Sequence, residues 1–447
     1  MPYLRKFDFL KWFYPGMHIK RWLFLLMLGV TLMGLGFAYV LRHVYVSYTF
    51  PDVFYYITLQ FIPQIARGAL FMGVALSLIL FAMWKLSHSL FYSLLPHRHE
   101  NGESLVNIIY NRRYLSRGPK IVAIGGGTGL SNLLRGLKEH TTNLTAIVTV
   151  ADDGGSSGRL REELGILPPG DVRNCIAALA DVEPLMSKLF QYRFSQGSGL
   201  AGHSFGNLFI VAMSGIVGNF EEAVRQTSRV LAVRGQIIPS TLTNVTLYAQ
   251  TNDAGTIRGE SNISQTQAKG HIKDIYLVPS NPPAYPEAVR AILDADMIVL
   301  GPGSLYTSLL PNLLVEGIRR AISASPALKI YVCNVATQPG ETDDFGVAEH
   351  LAAIEEHIGH GLIQYVLAND NVEGVLLKPE RSQPVQLNMA PANGVRIILS
   401  DVVSQENRYR HDSTKLAQAL LRTYEDRHQL GQTQPEAEER LAAAISD

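Results

Sequence analysis

Two long runs without a single charge constrain this chain more than any other feature. Trp22–Leu41 reads WLFLLMLGVTLMGLGFAYVL, and Gly68–Trp84 reads GALFMGVALSLILFAMW. A helix of ~20 apolar residues crosses a ~30 Å hydrocarbon core. In that medium a helix satisfies all its own backbone polar groups. The first run is too long for the apolar part of a signal peptide, and no A-x-A cleavage pattern follows it. The expectation is therefore a membrane hairpin with spans at 22–41 and 68–85. Arg5, Lys6, Lys11, Lys20 and Arg21 precede the first span, and Lys85, Arg98, Arg112, Arg113, Arg117 and Lys120 follow the second. The loop 42–67 carries only Arg42 and Arg67, so the positive-inside rule puts both termini in the cytoplasm. The location this implies is a cell inner membrane or plasma membrane, multi-pass, with the soluble domain cytoplasmic. No ionisable residue sits mid-span, which argues for an anchor rather than an ion path. Segment 1–21 reads as a cytoplasmic N-terminus and 86–118 as a polar juxtamembrane linker.

Composition supports this division. Hydrophobic residues are 47% and charged residues only 17% of the 447, below the ~25% charge of an ordinary soluble protein. The apolar excess lies in the two runs. Lys plus Arg and Asp plus Glu are each 39, which disfavours a global nucleic-acid binder. Cys175 and Cys333 are the only cysteines and both sit in apolar runs, so neither a disulfide scaffold nor a cysteine zinc site is expected.

From 119 to 420 the pattern becomes α/β, and 421–447 reads as a charged tail. Lys120–Ile124 is a short β-branched run, followed by Gly125-Gly126-Gly127-Thr128-Gly129. Leu130, Leu133, Leu134 and Leu137 then recur at helical spacing. Leu144–Val150 is a second buried strand. Strand, glycine turn, helix and strand make a βαβ unit with a parallel sheet. Further strands are expected at Ile275–Val278, Met297–Leu300, Lys329–Cys333, Gln364–Ala368 and Val395–Leu399. A helix is expected at Leu351–Ile358, and Gln236–Gln250 and Thr256–Glu260 read as a β-rich elaboration. The expected fold class is α/β, a Rossmann-like, mostly parallel sheet with helices on both faces, preceded by two transmembrane helices.

Motifs that could carry chemistry sit after the strands, where open α/β sheets bind ligands. The turn Gly125–Gly129 lets backbone approach a phosphate at a helix N-terminus. It fits neither G-x-G-x-x-G nor a P-loop, since the third glycine is misplaced and no lysine follows. Asp152-Asp153-Gly154-Gly155-Ser156-Ser157-Gly158-Arg159 ends the second strand. An acidic residue there suits ribose hydroxyls, a Gly/Ser run can form a nest for an anion, and Arg159 could clamp a phosphate. Asp171 in PPGDVRN reads as a helix N-cap or a ligand contact. His203 in GHSFGNL reads as the member of a hydrogen-bond network more readily than as an acid or base. Gly301-Pro302-Gly303-Ser304-Leu305-Tyr306 is a second glycine turn opening a helix, and Asn334–Thr342 (NVATQPGET) ends another strand. Two glycine turns in one sheet could grip the two ends of a nucleotide diphosphate sugar.

Together KIVAIGGGTGLSNLLRGLK, AIVTVADDGGSSGRLREELG, PPGDVRNCIAALA, HSFGNLFIVAM, GPGSLYTSLLPNLLVEGI and NVATQPGETDDF resemble the gluconeogenesis-factor (YvcK-like) family. That family lies within the 2-phospho-L-lactate transferase (CofD-like) superfamily. The resemblance spans about Pro119 to Leu420. It implies a cleft for UDP-sugars, notably UDP-N-acetylglucosamine, in a sensor or regulator of cell shape and envelope precursor supply during gluconeogenic growth. Enzymatic turnover is left open. The positions it marks are Gly125–Gly129, Asp152–Arg159, Asn207 and Gly301–Tyr306, with Thr337 in the sixth motif, Tyr365 in QYVLAND and Arg410 in RYRHD. The alternative it brings is a transferase moving a phosphorylated small acid from a nucleotide-activated donor, with magnesium on Asp152 and Asp153. A UDP-sugar is the expected ligand and the membrane the expected surface. A homo-oligomer is left open, and no protein partner is named. The spans depart from the usual soluble member of that family.

Overall fold

A computed structural model describes residues 19–47, 51–94 (except 52, 58 and 60) and 115–427 (except 182–183, 252–254, 266–271, 373–381 and 389–393). The chain divides into two compact units, Met1–Arg112 and Arg113–Asp447. In the first, helices α1 (Ile19–Ser47) and α2 (Gln64–Leu94) carry the two apolar runs. Each outruns its uncharged stretch, because flanking Arg and Lys residues tolerate a helix about as well as leucine does. Met27–Val44 and Gln64–Phe81 are long and apolar enough to cross a membrane, and their side chains are unburied. A soluble core helix of that composition would be covered. The N-terminal segment before residue 19, most of the expected linker, and the tail from 428 onward lie outside the described residues.

The second unit is built on seven parallel strands. They are β1 (Ile121–Gly125), β2 (Leu144–Val148), β3 (Gln236–Pro239), β7 (Met297–Leu300), β8 (Leu328–Val332), β9 (Tyr365–Asn369) and β10 (Arg396–Ser400). Their order is β10-β9-β8-β7-β1-β2-β3. The chain winds outward from β1 through β2 to β3, then returns to the other side of β1 and winds outward through β7 to β10. The strand order therefore reverses at the β1–β7 pair, where Ile121–Ile124 lie in register with Met297–Leu300. Such a switch point opens a crevice at the C-terminal strand ends. Every residue of β1, β7 and β8 is buried, as parallel strands covered on both faces require.

Between β3 and β7 the chain makes an excursion. Strands β4 (Thr246–Thr251), β5 (Gly255–Arg258) and β6 (Ile272–Val278) form a separate antiparallel sheet, order β5-β4-β6. The β-rich elaboration expected at 236–260 thus splits. Gln236–Pro239 joins the main sheet, and Ile275–Val278, expected among its strands, belongs to the small one. Short apolar runs do not say which sheet they enter.

Helix α3 (Gly127–Leu137) buries Leu130, Leu133, Leu134 and Leu137 completely, the face expected from their spacing. Helices α4 (Gly155–Leu164) and α5 (Gly170–Leu179) follow β2, and α6 (Phe205–Val217) is capped by Ser204, whose hydroxyl accepts from the Asn207 amide. Asp171 lies in the first turn of α5, not at its cap, which is Pro169. A helix over 413–427 closes the unit on α3, with Leu416, Ala417 and Leu420 buried. The segment 421–427, expected to belong to a tail, continues this helix.

Gly136 lies where α3 meets that closing helix. A Cβ there would collide with the Ser413 carbonyl oxygen. Gly136→Ala gains helix propensity of about 1 kcal/mol, yet overpacking costs about 1–3 kcal/mol. We expect a net loss of stability, read as a lower melting temperature. An unchanged or higher value would show that the two helices are not in contact there.

Candidate functional site

A cleft of about 760 Å³ opens at the switch point. Its floor is made by the two glycine turns, Gly126–Gly129 after β1 and Pro302–Ser304 after β7. They are pressed together. A Cβ on Gly129 would meet the Pro302 carbonyl oxygen at 2.5 Å, and one on Gly303 would meet the Gly126 carbonyl oxygen at 3.2 Å. Gly127 has φ +62°, the left-handed region that favours glycine. Asn312, fully buried, donates to the Gly125 carbonyl at 3.0 Å and to Ser308 O at 2.8 Å, fixing the end of β1. Asn334 after β8 grips Gly303 from both sides, accepting from its amide at 3.2 Å and donating to its carbonyl at 2.9 Å.

Each turn gives an amide to the protein itself. The Gly127 amide hydrogen-bonds the buried carboxyl of Asp171, the Gly303 amide binds Asn334, and the Tyr306 amide serves Glu341. Glu341 is 5% exposed. It accepts from Ser264 at 3.1 Å, from Thr307 at 3.2 Å and from Ser304. Burial pushes its carboxyl above the ordinary range, and the three hydroxyls pull it back. A carboxylate thus occupies the anion seat that the second turn offers in the sequence.

Positive charge in the cleft comes from side chains. Arg135, Arg173, Arg193 and Arg410 line it against one carboxylate, Glu406. Arg173 donates from Nη2 to Asn174 at 2.6 Å, while its Nε is buried without a hydrogen-bond partner. Across the cleft the Gln338 Oε1 is likewise buried and unpartnered. Buried polar groups are rarely left so, and here a donor and an acceptor both border one cleft.

The marked residues distribute as follows. Gly126, Gly127, Thr128, Gly129, Pro302, Gly303, Ser304, Thr337 and Arg410 line the cleft. Gly125 and Gly301 lie beneath it at the strand ends. Asp152, Asp153, Gly154, Gly155, Ser156, Ser157 and Arg159 stand apart from the lining. Asp152 accepts from the Gly154 amide at 2.9 Å, and Asp153 accepts from the Ser261 amide at 2.8 Å, tying the loop to the excursion. Ser157 accepts from the Gly170 amide at 2.9 Å, and Arg159 donates to the Ala201 carbonyl at 2.9 Å. Ser156 meets His203 Nδ1 at 3.0 Å and accepts from Asn207 at 3.0 Å, all three buried. His203 is thus the network member its surroundings suggest, and burial lowers its pKa. Tyr306 is buried edge-on to Phe345 and His357. Tyr365 begins β9 at the opposite edge of the sheet, with Arg396 6.0 Å from its ring centroid.

Behind the cleft the carboxyl groups crowd. Burial and the neighbouring Asp152 push Asp171 up to about 7. Burial, with Asp152, Asp171, Asp153 and Glu341, pushes Glu260 up to about 8. Asp152 and Asp153, the pair that a transferase reading would give to magnesium, serve the protein itself in this structure. Each has an oxygen committed to a backbone amide, and among the described residues no three Asp, Glu, His or Cys side chains gather to hold a metal ion. A second cavity, about 850 Å³, lies at the N-terminal strand ends. It has no glycine turn, and its Lys120, Arg225 and Arg290 are balanced by Glu221, Glu287 and Asp294.

The sequence profile of the 2-phospho-L-lactate transferase CofD family matches residues 121–403. The Bacillus subtilis gluconeogenesis factor is 47% identical over 310 residues, covering 68% of this chain and 97% of that protein. The chain belongs to the CofD family, among its gluconeogenesis factors. A Nostoc sp. (strain PCC 7120) relative that carries the same name provisionally is 48% identical over 429 residues, 94% of this chain and 93% of its own. That alignment is longer than the second unit, so it takes in the N-terminal segment as well. The N-terminal segment is therefore not peculiar to this chain. A crystal structure of a UPF0052-family protein from Bacillus halodurans has the same fold, with 45% identity, a TM-score of 0.65, and coverage of 68% of this chain and 99% of that one.

Sequence reading did not single out Arg135, Arg173, Arg193, Asn334, Gln338 and Glu341 as site residues. Arg135, Arg173, Asn334, Gln338 and Glu341 lie within quoted motifs, and only the fold shows that they gather at or behind one cleft.

Asp171 yields a testable pH dependence. An unfolded carboxyl of this kind titrates near 3.8 and the folded one near about 7. Its raised pKa means that its share of stability is present below pH ~4 and is lost as the pH rises to about 7. Asp171→Asn keeps an acceptor for Gly127 and removes the titration. The variant should melt higher than the parent at pH 8, with a shallower decline between pH 4 and 7, the remainder belonging to Glu260. Parallel melting curves would show that Asp171 is not buried as described.

Proposed function

We propose that this protein is a membrane-anchored gluconeogenesis factor that binds a UDP-sugar, UDP-N-acetylglucosamine in the first instance, and regulates envelope precursor supply and cell shape during gluconeogenic growth. The carrying observation is the cleft at the β1–β7 switch point, floored by two touching glycine turns and bordered by four arginines against one carboxylate. Its volume lies within the ~300–1,000 Å³ of ligand pockets. Arginine clusters recognise phosphates through charge-assisted hydrogen bonds. The orphaned Arg173 Nε and Gln338 Oε1 support a ligand that brings both an acceptor and a donor. Kinship with gluconeogenesis factors supports the regulatory role, and a binder is favoured over a transferase because Asp152 and Asp153 are engaged in holding a loop. The two exposed apolar helices support a bilayer anchor, both termini in the cytoplasm.

Titration of UDP-N-acetylglucosamine into the full chain in detergent tests this reading. Binding should be saturable and indifferent to a chelator, with no sugar, phosphate or nucleotide product by mass spectrometry. Arg173→Ala should weaken it at least ~10-fold, about 1.4 kcal/mol. Metal-dependent product formation would establish the transferase instead. Reporter fusions within 43–66 should report the outer side of the membrane, and a cytoplasmic signal would remove the hairpin.

A further inference from the structure

The inference concerns which way round the ligand lies, and it rests on the nucleotide-sugar reading above. We propose that Glu341 sets the polarity of the cleft, so that the 302–308 turn receives a neutral, hydrogen-donating part of the ligand and the diphosphate lies toward Arg135, Arg173 and Arg193. Glu341 fills the seat at the start of the Leu305–Leu309 turn with its own negative charge, taking the Tyr306 amide and the hydroxyls of Ser264, Ser304 and Thr307. No Lys or Arg is among those partners. A phosphate brought to this turn would meet a buried carboxylate directly behind it, and like charges in a weakly solvated site repel strongly.

Ser304 carries the second half of the argument. Its hydroxyl has one proton and two lone pairs. With the proton given to Glu341 and one lone pair facing Thr307 Oγ1 at 2.5 Å, Ser304 has one lone pair left, and so only acceptor capacity, for the cleft it lines. A phosphate oxygen has no hydrogen to offer it; a sugar or ribose hydroxyl, or a base N–H, does. Gln338 Oε1, buried and unpartnered in the same cleft, makes the same demand. On α5 the Arg173 Nε, a buried donor without a partner, makes the complementary one. Glu341 is thus a positioning residue, acting through Ser304. Through Ser264, in the short helix Glu260–Gln265, it also ties the cleft to the small-sheet excursion.

Two probes, UDP-N-acetylglucosamine and inorganic pyrophosphate, separate this from a merely structural role. Glu341→Gln keeps the shape, removes the charge and releases Ser304 from its role as acceptor. It should weaken UDP-N-acetylglucosamine at least five-fold and tighten pyrophosphate, measured calorimetrically on the full chain. A structural residue would weaken both, and that result, or unchanged affinities, overturns the proposal. Ser304→Ala, a milder change, should weaken UDP-N-acetylglucosamine at least five-fold more than pyrophosphate; equal losses overturn the proposal. If the parent binds pyrophosphate but not the UDP-sugar, the nucleotide-sugar reading fails, while tightening of pyrophosphate in Glu341→Gln still upholds the polarity and its absence still overturns it. A parent that binds neither overturns both.

Discussion

The contact between the two glycine turns at the ends of β1 and β7 is the constraint on which the rest of the site depends. These strands are neighbours because the winding direction reverses between them, and their continuations leave the sheet at the same place. A side chain on Gly129 would strike Pro302, and one on Gly126 would strike the Asp171 carboxyl. Glycine is needed here first for the approach of backbone to backbone. Asn312 and Asn334 then fix the turns through the Gly125 and Gly303 peptide groups. The result is a rigid floor, and ligand selection passes to the side chains around it.

Those side chains divide the charge. Arginines border the cleft, while Asp152, Asp153, Asp171 and Glu341 lie behind it close enough to raise the proton affinity of Glu260, and Asp152 that of Asp171. The Gly127 and Tyr306 amides are held by the internal carboxyl groups of Asp171 and Glu341, and the Gly303 amide by Asn334. Such an arrangement favours a ligand with two chemically distinct ends over a simple anion. It also places the DDGGSSGR loop in a supporting role, joining the cleft's rear wall to the excursion through the Ser261 amide.

Much of the fold was legible in the sequence. The helical leucines of α3, the β-branched runs of β1, β2, β7, β8 and β9, and the two uncharged runs each carry a strong periodic or length signal. The assignment of Ile272–Val278 to a second sheet was not legible, since pairing partners are chosen by tertiary packing. For the site, the sequence marked the two glycine turns, and Gly126–Gly129 and Pro302–Ser304 do meet. The strand expected at Gln364–Ala368 already put Tyr365 at a strand's start, and the structure accordingly has it at the edge opposite the cleft. The sequence could not show that Arg173 on α5 enters that cleft while Glu341 lies behind it, since a single charge has no periodicity to read.

The central claim is that one bipolar nucleotide ligand lies in the switch-point cleft. A crystal structure of the protein in complex with UDP-N-acetylglucosamine tests it most directly. The account predicts diphosphate oxygens within hydrogen-bond distance of Arg173 Nε, and a hydroxyl or N–H of the ligand on Ser304 Oγ or Gln338 Oε1. A ligand seated in the cavity at the opposite edge of the sheet, beside Lys120 and Tyr285, or one with its diphosphate against the 302–308 turn, would contradict it.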